Sequence, residues 1–175
     1  MDNLKVISSP RNDGKACAVE AGIKAAGKEA IVIFDADMSP SVESIPLFIE
    51  PLRMGIADFV NGTRLVYDME KNAMSQIKRI GNFIFAVVFS RILKTTVTDT
   101  LCGVKAFLKK DFQAVEFKGE KWGDFILLAT ARKKGLKIVE VPLRYYVRTS
   151  GESKMNVYKD GLRFLLYLFK IALRP

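Results

Sequence analysis

The run Ala30-Ile31-Val32-Ile33-Phe34-Asp35-Ala36-Asp37 constrains this chain more than any other stretch. Five consecutive apolar residues read as a strand buried on both faces, because a strand with one wet face would alternate. At its end, Asp35 and Asp37 stand two apart, and residues two apart on an extended chain point the same way. Both carboxylates can therefore aim at one point. At the carboxyl end of a parallel strand, that point lies in the crevice where α/β proteins bind ligands. Two hard oxygen donors suit Mg²⁺ or Mn²⁺, which in turn would hold a diphosphate. A solvated acidic turn or a helix cap would use the same residues, since Asp is common in loops.

The remaining pattern alternates strands and helices. Lys5-Val6-Ile7 is a short extended stretch ending in the turn-rich Ser8-Ser9-Pro10-Arg11-Asn12-Asp13-Gly14. A helix is predicted from about Lys15, with Ala16, Val19 and Ile23 on one face and Gly27 as its stop. Ser44 caps a short helix with Pro46 in its first turn. Ala57-Asp58-Phe59-Val60 reads as a strand leading to Gly62-Thr63-Arg64. Helical spacing covers residues 75–93, followed by a polar turn over 95–100 and a strand near Val104-Lys105-Ala106-Phe107. A helix over 122–134 is broken by Gly135, and Leu136-Lys137-Ile138-Val139-Glu140-Val141 is a strand that Pro142 ends or places at an edge. An amphipathic helix over 157–175 closes the chain. This order predicts α/β layering around a mostly parallel sheet with helices on both faces, within one domain over residues 1–175.

Composition removes several chemistries. The chain has no histidine, which excludes Ser-His-Asp triads, Cys-His dyads and His-ligated zinc. Its two cysteines, Cys17 and Cys102, fit no CxxC pattern and read as reduced thiols of a cytosolic compartment. Gly14-Lys15 lacks the GxxxxGK[ST] spacing of an ATP-binding loop, so Lys15 either faces a nucleotide pocket or simply begins a helix. The net charge of +9 points to an anionic partner. No RRM, KH or zinc-finger pattern accompanies it, so nucleic acid is not the expected one.

Gly14-Lys15, Ala18, Ala21-Gly22 and the run 31–37 resemble family 2 glycosyltransferases of GT-A (Rossmann-like) fold, nearest the branch making dolichyl- or polyprenyl-phosphate sugars. The likeness continues through Gly62-Thr63-Arg64, Asp99-Thr100-Leu101-Cys102-Gly103-Val104-Lys105-Ala106-Phe107, Gly135-Leu136-Lys137-Ile138-Val139-Glu140-Val141-Pro142 and Arg148-Thr149-Ser150-Gly151-Glu152-Ser153-Lys154. The blocks stand in family order across nearly the whole chain. Two departures accompany it. The family's first β/α unit, with its Pro-then-acidic stretch for the nucleotide base, has no counterpart before Lys5. After Trp122-Gly123-Asp124, Ile126 stands where relatives often carry Glu.

The resemblance implies a metal-dependent, inverting transfer of a hexose from a GDP- or UDP-linked donor to a lipid phosphate. Asp35 and Asp37 would hold Mg²⁺ or Mn²⁺, with Ser39 as a weak further oxygen. Arg64, Arg79, Arg148 and Lys154 would contact phosphates, as Arg favours bidentate forks; Lys15 and Ser153 would also contact substrate. Asp99 would border the acceptor or serve as a turn aspartate, and Asp124 would orient sugar or phosphate. Trp122 would lie under the sugar or in the core. If the acceptor were instead a saccharide or protein hydroxyl, Asp124 would become the base. A non-catalytic remnant that only docks on membranes is a further reading. Two apolar segments, 83–93 and 164–173, are flanked by Lys78, Arg79, Arg91, Lys94, Arg163, Lys170 and Arg174. They suggest peripheral contact with the cytoplasmic face of a membrane, or ordinary core helices.

Overall fold

The computed structural model describes residues 4–37, 39–71, 73–117, 120–148 and 155–172. Its elements are α1 (Lys15–Ala25), β1 (Ala30–Ile33), a 3₁₀ turn (Val42–Ser44), α2 (Ile45–Arg53), β2 (Phe59–Thr63), α3 (Gln76–Leu93), β3 (Lys105–Leu108), α4 (Lys109–Phe112), α5 (Asp124–Lys133), β4 (Ile138–Pro142) and α6 (Val157–Ala172). The α/β layering holds, with four strands in the order β1-β3-β2-β4.

The sheet is mixed, which corrects the expectation of a mostly parallel one. β1, β2 and β4 run in one direction, but β3 is inserted between β1 and β2 in the opposite sense, so two of the three pairings are antiparallel. The cause is the route of the chain. α3 does not carry it back across the sheet. It packs against α6, and the turn after it re-enters the sheet at the edge that β1 and β2 have just left.

Side-chain alternation splits the sheet into two faces. Ile31, Phe59, Phe107 and Ile138 belong to one apolar cluster with α1, α3, α5 and α6; Val32, Val60, Ala106 and Val139 belong to another under α2. Helices therefore cover both faces, as expected. Phe59 stacks on Phe107 with centroids 5.8 Å apart, and Phe85 meets Phe125 edge-on at 4.3 Å. Each such ring contributes about 1.5–3 kcal/mol by its burial.

Several local expectations shift. Lys5-Val6-Ile7 joins no strand and Val6 is 80% exposed. The β2 strand starts two residues late and runs through Gly62 and Thr63. Ser44 stands before α2, but its hydroxyl donates to the Ser41 carbonyl and accepts from no helix N–H, because a 3₁₀ turn precedes the helix. Ser75 does cap α3, accepting from the Lys78 amide. The apolar exposure of α3 lies in its first half, at Ile77, Ile80, Phe83 and Ile84, whereas Phe85, Ala86 and Phe89 are core.

Candidate functional site

A cavity of about 750 Å³ opens at the carboxyl ends of β1, β2 and β4. Its floor takes Asp35 and Asp37 from the turn after β1, Arg64 from after β2, Cys102-Gly103-Val104 from before β3, and Tyr145 and Arg148 from beyond β4. The first residues of α1 and α5 contribute Lys15 and Asp124, while Lys78, Asn82 and Phe85 of α3 and Phe164 of α6 form a wall. The reversed β3 thus delivers its entry turn to the edge where the other strands end.

Acids and bases alternate across this floor. The Lys15 ammonium lies 2.9 Å from Asp35 Oδ1 and 3.4 Å from Asp124 Oδ2, and the fully buried Lys105 lies 3.7 Å from Asp124 Oδ1. Burial alone would lower the Lys15 pKa, but Asp124 and Asp35 outweigh it and hold the ammonium above its ordinary value. Arg148 pairs with Asp37 at 3.1 Å, and the other Asp37 oxygen accepts from the Ser39 amide.

Asp99 is fully buried and clasps Arg64, through Nε at 2.7 Å and Nη2 at 2.9 Å, while accepting from the Asn82 amide at 2.7 Å. Burial would raise its pKa, yet the Arg64 guanidinium holds it below the usual carboxylate value. The guanidinium also lies 5.1 Å over the Tyr145 ring. Glu140 of β4 accepts from the Thr98 and Asp99 amides and from Asn61, pinning the turn that carries Asp99. Burial and the neighbouring Asp99 push the Cys102 thiol up to about 11, so it stays protonated near neutrality.

The residues fit a divalent ion. Asp35 and Asp37 face one cavity with oxygen donors only, and no group of three or more His, Cys, Asp or Glu stands in ligating reach among the described residues. Two carboxylates with the remaining positions left to phosphate oxygens and water match the coordination habit of Mg²⁺. Backbone is cut away to make room: a Cβ on Gly103 would fall 1.9 Å from Asp35 Oδ2. In Gly103→Ala the Asp35 carboxylate, being the mobile end of a side chain, must swing off its position. The variant is expected to fold with a near-native melting temperature but to lose most Mn²⁺ affinity, as titration calorimetry would read.

Among the expected site residues, Lys15, Asp35, Asp37, Arg64, Asp124 and Arg148 line the cavity together. Arg79 does not. One helical step of about 100° turns it outward, and Lys78 takes the inward position in phase with Gly81, Asn82 and Phe85. Asp99 is a buried clasp for Arg64 and does not touch the cavity itself. Ser39 is buried and off the cavity wall. Ser153 and Lys154 lie outside the described residues. Trp122 borders the cavity with its indole N–H buried and without a hydrogen-bond partner among the described residues. Lys105, Lys78, Asn82 and Gly103 were not among the expected site residues, although Lys78 was named as a flank of an apolar segment and Gly103 and Lys105 within a family-like block. A lysine inside the apolar strand Val104-Lys105-Ala106-Phe107 was the available signal for the first.

Comparison with known proteins agrees with this geometry. Residues 1–116 match the family described as Glycosyl transferase family 2. A dolichyl-phosphate hexose transferase of Haloferax volcanii is 29% identical over 160 residues, covering 91% of this chain and 68% of that protein. A dolichol-phosphate mannosyltransferase of Pyrococcus furiosus is 29% identical over 171 residues, covering 96% of this chain and 47% of the relative. Glucosyl-3-phosphoglycerate synthase from Mycobacterium tuberculosis, in complex with Mn²⁺, UDP and glucosyl-3-phosphoglycerate, shares the fold with a TM-score of 0.67 at 19% identity, over 95% of this chain and 58% of that one. The chain thus spans between about half and two thirds of the length of these three proteins.

Proposed function

Because the chain belongs to glycosyl transferase family 2, we propose that it moves a hexose, with inversion, from a GDP- or UDP-sugar to a polyprenyl phosphate such as dolichyl phosphate. The reaction uses Mg²⁺ or Mn²⁺ and takes place at the cytoplasmic face of a membrane, the side on which free thiols such as Cys17 and Cys102 persist. The observation that carries this reading is that Asp35 and Asp37 line one cavity together with four cations, Lys15, Lys78, Arg64 and Arg148. The names of the Haloferax and Pyrococcus relatives support the lipid-phosphate acceptor, and the Mn²⁺–UDP complex of the structural neighbour supports a metal-held nucleotide.

Asp35 and Asp37 would hold the ion, which supplies charge neutralisation on the departing nucleoside diphosphate. Lys15 and Arg148, now paired with those two carboxylates, can turn to phosphate oxygens when substrate enters. Arg64 is immobilised by Asp99 and Tyr145, so it presents a fixed positive surface without losing side-chain freedom on binding. Lys78, on the α3 wall of the cavity, would receive the lipid phosphate, while Asn82 beside it is spent on Asp99. A phosphate monoester is mostly dianionic above about pH 6 and needs no base to attack the anomeric carbon. The absence of histidine is therefore no handicap. Asp124 is engaged by Lys15 and Lys105, which makes it a positioning group for Lys15 and disfavours the hydroxyl-acceptor reading that needs it as a base.

Calorimetry with UDP-glucose and GDP-mannose, with and without Mn²⁺, tests the donor site. Transfer to a short-chain polyprenyl phosphate tests the acceptor. Saturable binding that requires metal, and a rate flat between about pH 7 and 9, are expected. Absence of metal-dependent binding, or a rate that follows carboxylate ionisation, would overturn the reading.

A further inference from the structure

Lys105 is the only lysine or arginine among the described residues that is buried, at 0% exposure, and it does not line the cavity. It stands on β3 opposite Ile33 of β1 and Asn61 of β2, and it shares its face of the sheet with Phe107, two residues on. An ammonium in that position is costly unless a counter-charge meets it. Its hydrogen bond goes to the Cys102 carbonyl, which carries no formal charge. Its ion-pair partner, Asp124 Oδ1, is 3.7 Å away, beyond hydrogen-bond range.

Asp124 is itself buried, and on its other side the Lys15 ammonium lies 3.4 Å from Oδ2 and 3.5 Å from Oδ1. The carboxylate thus hangs between two ammonium groups at similar range and closes tightly on neither. Lys15 closes instead on Asp35, at 2.9 Å. Charge alternates from the sheet to the cavity in the order Lys105, Asp124, Lys15, Asp35. When Lys15 turns to a diphosphate, both of its carboxylates lose a cation. Asp35 then has the divalent ion as its counter-charge, but Asp124 has only Lys105. Without Lys105 a buried carboxylate would be stranded, and its pull would keep Lys15 at home, because breaking a buried pair from one side is far more costly than breaking a solvated one. A movement of less than about 1 Å brings Asp124 Oδ1 to the distance of a charge-assisted hydrogen bond with Lys105.

We propose that Lys105 is a positioning residue: from behind the cavity it takes over Asp124 as Lys15 swings to the donor's diphosphate, so that Lys15 leaves no buried carboxylate unpaired. This rests on the metal-held nucleotide of the transferase reading above, and adds to it a residue that touches neither substrate nor ion.

The test is calorimetric titration of the whole chain with UDP and with GDP in the presence of Mn²⁺, for wild type, Lys105→Met, Asp124→Asn and the double variant. Methionine is flexible and keeps the interior filled without the charge. With Asp124 left to Lys15 alone, Lys105→Met is expected to bind the preferred nucleotide about tenfold more weakly. Ground and transition states lose alike, so the donor KM should rise by the same factor with kcat unchanged. In the Asp124→Asn background no charge is stranded, and Lys105→Met should cost less than about twofold. A packing role would not produce that non-additivity. Equal losses in both backgrounds, wild-type affinity in Lys105→Met, or a fall in kcat with KM unchanged would each overturn the proposal and leave the transferase reading standing. So would a Lys105→Met chain that fails to fold and that Asp124→Asn does not restore, whereas restoration would support it. Wild type without Mn²⁺-dependent nucleotide binding would overturn both.

Discussion

In Asp35→Asn, metal-dependent donor binding is expected to disappear and sugar transfer to fall by about 10³-fold, the scale of a metal's several kcal/mol of transition-state stabilisation. The fold should barely notice. The Asp35–Lys15 pair is partly solvated, with Asp35 36% exposed, and pairs of that kind contribute about 0–1 kcal/mol. Asp124 remains beside Lys15 and still holds its ammonium up, so α1 and α5 stay tied. Asp37→Asn should behave alike in metal binding and also loosen Arg148, which pairs with that carboxylate. The decisive comparison is Mn²⁺ titration against thermal melting. Loss of the first with no change in the second places the carboxylate in the metal site, and retained Mn²⁺-dependent donor binding would remove it from there.

Asp99→Ala is expected to act in the opposite way, by removing stability. It strands a mostly covered guanidinium at the cavity floor and leaves the buried Asn82 amide without its acceptor. Breaking a buried pair from one side costs about 3–5 kcal/mol, equivalent to a fall of roughly 10 °C or more in melting temperature for a chain of this size. The same pair sets an acid limit. Because the folded-state pKa of Asp99 is depressed, its contribution is complete above the ordinary carboxylate range near pH 4. It drains away as pH falls through the depressed value. Wild type should therefore lose stability steeply below about pH 4, and Asp99→Ala less steeply. Parallel acid-unfolding curves for the two proteins would contradict this assignment.

The apolar run over 30–34, the acids after it, the face of the helix over 15–25 and the helical spacing of residues 75–93 were legible because each is set by neighbours a few residues away. The same holds for Pro142, which both ends β4 and lies on an edge strand. Strand polarity was not legible. Nothing within Lys105–Leu108 distinguishes a parallel from a reversed strand, since that depends on where α3 leaves the chain. Arg79 and Lys78 are adjacent cations, and only packing against Phe164 decides which turns inward. Arg64 and Asp99 were both candidate substrate contacts, and no local rule says that they occupy each other.

The amino-acid sequence by itself determined that this chain layers helices on a sheet and ends one apolar strand in paired carboxylates, because hydrophobic period and turn chemistry are short-range properties; that this strand lies at the sheet edge, with only Ile31 buried, was not determined there. Only the tertiary structure decided which cations meet those acids. Lys15 and Asp124 are 109 residues apart, and Lys105 lies on the reversed strand β3. Their encounter follows from closing the sheet around one core, a long-range condition that no segment contains.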